Sequence, residues 1–278
     1  MPLPQNVKAI ITGASTGIGR GLAIQLARLY KAKLVLTARS QGDLESCAEE
    51  VRKNGGEAEI IAGDITREGL SLELAERCLT KYGGIDLLVN NAGMAVPGLV
   101  EKLSVEDWRR LFDVNFFSAL QTTYACLDSL KNSPRGKIVN ISSVAGKISF
   151  PGSVSYCSSK FALTALSNGL GAELAPHHVD VITVCPGWVR TEFFAKNSVP
   201  NSRNPVLIAE QKDLKGFMMK HVLSISTEDC VKEILQALNK DQSSELILTI
   251  PGKIAERLNG VAPRMVSLLS RQMNFDQN

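Results

Sequence analysis

The chain holds 278 residues, 44% hydrophobic and 21% charged, the proportions of a folded protein with a sizeable core rather than of a disordered chain. Its net charge of +3 is spread along the sequence, which leaves no electrostatic case for a nucleic-acid partner and favours a small molecule. At this length one α/β domain still accommodates the whole chain.

Residues 7–12 form a short β-branched apolar run ending at a glycine-rich turn, the pattern of a buried strand. Apolar side chains then recur at helical spacing at Ile18, Leu22, Leu26 and Leu29, and residues 33–38 (KLVLTA) make a second buried strand, completing a βαβ unit. The alternation repeats through a helix at 44–53, a strand at 57–62, a helix at 70–82 and a strand at 86–89. Ser104, with Asp107 three residues on, sets a capping-box pattern that opens a helix toward Leu130. A strand at 137–142, a helix at 155–174 and a strand at 180–185 bring the series to six strands. This alternation predicts a single-domain, Rossmann-type α/β fold, a doubly wound parallel sheet with helices on both faces.

Residues 191–226, interrupted by Pro200 and Pro205, break the rhythm and read as a substrate loop or lid after a core at 7–190. Thr227 is placed to cap a helix to Asn239, and residues 245–250 (ELILTI) would add a seventh strand. Residues 251–278 form an amphipathic helical tail with Ile254, Leu258, Val261, Met265, Leu268 and Leu269 on one face. Docking of that face on the core or on a sister subunit is favoured over membrane contact, since basic residues are few and Trp is absent.

Cys47, Cys78, Cys126, Cys157, Cys185 and Cys230 form no CxxC pair, so no zinc site or redox dithiol is expected, only free buried thiols in a reducing compartment. With no basic region followed by an apolar stretch at the N-terminus, a cytoplasmic location is expected.

Chemistry concentrates at a few turns. Thr12-Gly13-Ala14-Ser15-Thr16-Gly17-Ile18-Gly19 joins the first strand to the first helix; its glycines let main-chain N–H groups approach a pyrophosphate, which the helix N-terminus attracts. The second strand ends in Arg39-Ser40, where NAD-binding chains carry an acid for the ribose 2′-OH; a guanidinium suits a 2′-phosphate, so NADP(H) is favoured. Asp43 belongs to the first turn of the next helix. Tyr156 and Lys160 stand four apart and share a helix face, where an ammonium would bias the phenol toward phenolate, and Ser143 ends the preceding strand within reach. A YxxxK pair on its own is commonly structural.

Together, TGASTGIG, Asn90-Asn91-Ala92-Gly93, Asn115, Ser143, Tyr156-x-x-x-Lys160 and Pro186-Gly187 resemble, in order and spacing, the short-chain dehydrogenase/reductase family over residues 7 to 190. The resemblance implies that Ser143 polarises a carbonyl, Tyr156 transfers the proton, Lys160 also contacts the nicotinamide ribose, and Asn115 holds a water in a proton relay. It places Asp64 and Ile65 beside adenine, Asn91, Ala92 and Gly93 along the adenosine ribose, and Val189 and Thr191 on the carboxamide and phosphate. It also implies a homodimer or homotetramer through the long helices. The expected activity is hydride transfer between NADP(H) and an alcohol or carbonyl of an apolar substrate, with Val96, Phe150, Phe193, Phe194, Phe217 and Met218 as pocket candidates. A 3-oxoacyl (fatty-acid type) reductase, a steroid or retinoid dehydrogenase, a lipid ketone reductase and a non-catalytic NADP-binding regulator are the alternatives; the last would lack Ser, Tyr or Lys, and all three are present.

Overall fold

The computed structural model describes residues 3–189, 224–240, 242–262, 264 and 268. Its strands are β1 (Lys8–Thr12), β2 (Lys33–Ala38), β3 (Glu57–Ala62), β4 (Leu87–Asn90), β5 (Lys137–Ile141), β6 (Asp180–Cys185), β7 (Trp188–Val189), β8 (Ser224–Ile225) and β9 (Ser244–Ile247). Seven of these form one parallel sheet in the order β3-β2-β1-β4-β5-β6-β9, and β7 pairs with β8. The helices are α1 (Gly17–Tyr30), α2 (Gln41–Lys53), α3 (Leu70–Tyr82), α4 (Val105–Phe112), α5 (Ser118–Asn132), α6 (Val154–Glu173), α7 (Thr227–Leu238) and α8 (Ile250–Val261).

Strand periodicity builds the layers. Ile11, Leu34, Leu36 and Val89 face a core completed by Leu22 and Leu26 of α1, Leu44 and Val51 of α2, and Ile234 of α7. Their neighbours Ile10, Val35, Leu88 and Ile138 point the other way, onto Leu70 and Leu74 of α3 and Cys126 and Leu130 of α5. Each strand is thus covered on both faces, as a parallel sheet requires. The direction of sheet growth reverses between β1 and β4, which opens a crevice at the carboxyl ends of those strands.

The expected elements appear with four revisions. The helix expected from 104 to 130 contains a π-type turn at Asp113–Phe117 between α4 and α5, after the expected capping box, in which Ser104 Oγ accepts from Asp107 N (3.1 Å) and Asp107 Oδ2 from Ser104 N (2.9 Å). Ser226, not Thr227, caps α7, its Oγ accepting from Asp229 N at 3.0 Å. The seventh strand ends at Ile247, because Thr249 caps α8 and Pro251 occupies the first turn of that helix. Of the tail's apolar face, Ile254, Leu258, Val261 and Leu268 are exposed rather than packed on the core; Met265 and Leu269 lie outside the described residues. So do 190–223, most of the expected lid, with Thr191, Phe193, Phe194, Phe217 and Met218. All six cysteines are buried and unpaired. Among the described residues no helix is long and apolar enough to cross a membrane.

Candidate active site

Because the strands are parallel, the turns after β1, β4, β5 and β6 emerge along one edge of the sheet, and the sequence motifs meet there. Gly13 takes φ +64° and Gly17 φ +55°, backbone that side chains disfavour. A Cβ on Gly19 would stand 2.5 Å from both Gly13 O and Asn91 Nδ2, so the turn closes tightly on the loop after β4. Thr12 and Asn91 hold it shut: Thr12 Oγ1 accepts from Asn91 N (2.9 Å) and Ala92 N (3.0 Å), while Asn91 Nδ2 donates to Thr12 O and Gly13 O, both at 2.9 Å. The side chain of Asn91 is therefore turned onto the glycine turn. Thr16 offers α1 no side-chain cap and the first turn contains no acid, which leaves the helix N-terminus chemically open to an anion.

Arg39 is exposed at the end of β2, and Ser40 accepts from Asp43 N at 3.4 Å as the cap of α2. Asp64 accepts from Thr66 N (3.0 Å) and Thr66 Oγ1 (2.8 Å). Partial burial raises its carboxyl, but those bonds, with the nearby guanidinium groups of Arg39 and Arg110, hold it below the usual carboxylate range. Ile65 is buried in the core beneath α3. After β6, Pro186 O accepts from Val144 N at 2.9 Å, Gly187 packs against Thr249, and Val189 lies against the first core.

The Ser143, Tyr156 and Lys160 side chains converge. Ser143 Oγ accepts from Ala145 N (3.1 Å) and hydrogen-bonds the Tyr156 phenol; Lys160 Nζ lies 5.9 Å from the Tyr156 ring centroid and donates to Ile141 O at 2.9 Å. Burial pushes the phenol up to about 12, partly offset by the Ser143 hydrogen bond. Burial also lowers Lys160 from 10.5 to about 8, with Cys185 opposing. Desolvation thus favours the neutral form of each group in the chain by itself, Tyr156 as the phenol and Lys160 as the amine.

Asn115, in the π-type turn, is 1% exposed. Its Oδ1 accepts from Met94 N (2.8 Å) and its Nδ2 donates to Met94 O (2.9 Å) and Ser159 Oγ (3.0 Å). Both amide protons are spent inside the protein, so its side chain serves α6 and the Met94 segment. Val96 is core, beside Met94, Leu103 and Leu111, and Tyr156 packs against that cluster; Phe150 is half-buried. Sequence reasoning missed Thr12, Ser142, Ser159, Thr164 and Arg110. Thr164 continues the four-residue spacing from Tyr156 through Lys160, and Ser142 adjoins Ser143, so both had a usable signal.

Comparisons with known proteins agree with this fold. The short chain dehydrogenase family profile matches residues 7–201. Human dehydrogenase/reductase SDR family member 7 is 34% identical over 236 residues, 83% of this chain and 67% of that protein. The 3-oxoacyl-[acyl-carrier-protein] reductase of Synechocystis is 33% identical over 184 residues, 66% of this chain and 74% of the relative. Among solved structures, an alcohol dehydrogenase from Thermococcus sibiricus complexed with 5-hydroxy-NADP superposes with a TM-score of 0.72 at 28% identity, covering 87% of this chain and 95% of that one. A short-chain dehydrogenase from Streptomyces avermitilis reaches 0.78 at 29% identity, over 97% of this chain and all of that one. The chain belongs to the short-chain dehydrogenase family of oxidoreductases.

Proposed function

We propose that this oxidoreductase uses NADP(H) to interconvert a carbonyl and an alcohol on an apolar small molecule, with Ser143, Tyr156 and Lys160 as the reacting set. The carrying observation is the meeting of those side chains at the sheet edge that also bears the glycine turn. The chain fits a dinucleotide because that turn admits no Cβ at Gly19 and leads into a helix N-terminus without an acidic residue or side-chain cap. Gly13, Ser15, Thr16, Gly17, Ile18 and Gly19 would hold its pyrophosphate, Arg39 and Ser40 a 2′-phosphate, and Asp64, Ile65, Ala92 and Gly93 the adenosine. When bound, the nicotinamide supplies or takes the hydride.

In the reducing direction Tyr156, a neutral phenol at physiological pH, donates its proton to the substrate oxygen as negative charge develops there. Ser143 holds that same oxygen with its hydroxyl and keeps the phenol oriented. Lys160, whose ammonium persists at neutral pH, stabilises the resulting phenolate. Asn115 steadies the helix beneath them through Ser159.

The Synechocystis relative favours a second substrate class, 3-oxoacyl thioesters. Exposed Phe117, Tyr124 and Phe161 on or beside α5 and α6 support self-association through those helices, which light scattering of the purified protein reads directly. The test of activity is NADPH and NADH oxidation against a panel of apolar ketones, aldehydes and 3-oxoacyl thioesters. Tyr156→Phe is expected to abolish turnover; a Tyr156→Phe variant with near-full turnover refutes the assigned acid.

A further inference from the structure

The buried face of α6 carries Ser155, Ser159, Lys160, Thr164 and Ser167 where a helix packed on a sheet ordinarily presents apolar side chains. Three of these hydroxyls donate back into their own helix: Ser159 to Tyr156 O (2.8 Å), Thr164 to Lys160 O (2.9 Å) and Ser167 to Leu163 O (2.7 Å). Each oxygen has then spent its single proton and is left as an acceptor. Each faces a donor from another element: Asn115 Nδ2 at 3.0 Å from Ser159, Asn140 Nδ2 at 2.8 Å from Ser167, and Ser142 Oγ at 2.8 Å from Thr164 Oγ1. Ser142 Oγ also lies 3.1 Å from Lys160 O, and its single proton serves Thr164 Oγ1 or Lys160 O in turn.

We propose that Ser142 and Thr164 are positioning residues, whose hydroxyls pin the main-chain carbonyl of Lys160 to the end of β5 and so fix Tyr156 and Lys160 against Ser143. The inference rests on the reading of those three residues as the reacting set. Three consecutive residues at the end of β5 address one helix: Ile141 O takes the Lys160 ammonium, Ser142 takes the Lys160 carbonyl, and Ser143 takes the Tyr156 phenol. An axial slip of α6 would break all three together. Gly146, in the turn that Ser143 opens, lets the elements close up: its Cβ would stand 2.6 Å from Lys160 O, 2.7 Å from Ser142 Oγ and 2.7 Å from Thr164 Oγ1. Thr164 also stands beside the buried Cys185 thiol at the end of β6, so the clamp abuts a second strand.

The test compares Thr164→Val, which keeps shape and loses the hydroxyl, Thr164→Ser, which keeps the hydroxyl, Ser142→Ala, and the Ser142→Ala/Thr164→Val double variant. Turnover is read with NADPH and the compound reduced fastest in the panel above, and amide hydrogen exchange is read on the unliganded full chain. Misplacement by about 1 Å costs on the order of 100-fold in rate, so the double variant is expected to lose about that much kcat with little change in KM for NADPH. Thr164→Ser should match the wild type. In the unliganded double variant, amides of residues 156–164 should exchange faster while those of α1, α2 and α3 are unchanged.

Wild-type kcat in the double variant overturns the proposal. So does equal impairment of Thr164→Val and Thr164→Ser, or faster exchange spread evenly over all elements, since each reports packing alone. Tyr156→Phe run alongside separates the two levels: its near-full turnover sinks the reading of the site, whereas an inactive Tyr156→Phe with an unimpaired double variant sinks only the clamp.

Discussion

Replacing Lys160 by Met is expected to change how stability depends on pH. Lys160 is 3% exposed, its ammonium donates to Ile141 O at 2.9 Å, and burial brings it from 10.5 to about 8. An unfolded chain keeps lysine near about 10.4. Between these values the unfolded state binds more protons than the folded state, so this group makes the unfolding free energy rise with pH. Below about pH 8 the folded protein bears the whole cost of the buried charge, about 3 kcal/mol, and above about pH 10.5 the cost is gone. Between about pH 7 and about pH 9.5 the contribution changes by about 2 kcal/mol. The assay is urea unfolding of wild type and Lys160→Met at those two pH values, with the wild type gaining about 2 kcal/mol on the variant at the higher one. Cys47, Cys78 and Cys230, held neutral by the fold, lower stability as pH rises, but they do so in both proteins and cancel in the difference; Cys185, which is coupled to Lys160, does not, so both proteins carry Cys185→Ala. The donor lost from Ile141 O cancels too, because its cost does not depend on pH. An identical wild-type-minus-variant difference at both pH values would mean that Lys160 is solvated in the fold, and the catalytic geometry argued above would be wrong.

Arg39→Glu should raise the Kd for NADPH at least about tenfold while leaving NADH within about twofold, read by nucleotide fluorescence; equal effects on both would remove Arg39 from 2′-phosphate recognition. Gly19→Ala drives a Cβ onto Gly13 O, so it should weaken binding of both nucleotides and lower the urea midpoint; unchanged binding would mean that the turn does not cradle phosphate. Lys137, 1% exposed, bonds Asp180 and Lys240 O (2.8 Å) at the opposite edge of the sheet. Lys137→Met should cost about 2 kcal/mol, discounted because Asp180 is partly solvated, with kcat unchanged. A loss of kcat with full stability would tie that edge to the chemistry.

What the sequence made legible follows from what periodicity encodes. Strands β2, β3 and β6 and helix α3 stand where apolar spacing puts them, because burial on two faces dictates a pattern that a neighbouring residue cannot change. The glycine turn and Ser143, Tyr156 and Lys160 were legible because their chemistry needs particular residue types at fixed spacing. The π-type turn at Asp113–Phe117 was not: one extra residue per turn leaves helix-like composition intact and shows only in the backbone. Ser226 and Thr227 are both good caps, and only geometry separates them. The inward turn of the Asn91 and Asn115 amides was equally hidden, since an asparagine in a motif does not reveal which partners take its protons. The direction of the Tyr156 shift depended on burial, which no local pattern prints.

The polar face of α6 then has a physical reason. Apolar burial is non-directional and roughly proportional to area, so a helix held only by leucines and valines can settle a fraction of an ångström up or down at little cost. Hydrogen bonds weaken steeply as distance and angle depart from ideal, and a buried one left unmade costs about 1–3 kcal/mol. The contacts of Asn115 with Ser159, Asn140 with Ser167 and Ser142 with Thr164 reach α6 from the π-type turn on one side and from β5 and its end on another, so no single slide of the helix preserves them all. Stability is left to the two apolar cores on either side of the sheet, which can absorb the roughly 3 kcal/mol charged to Lys160. In this chain, affinity for the sheet and accuracy of register are assigned to different residues, and it is the accuracy that the proposed chemistry requires of α6.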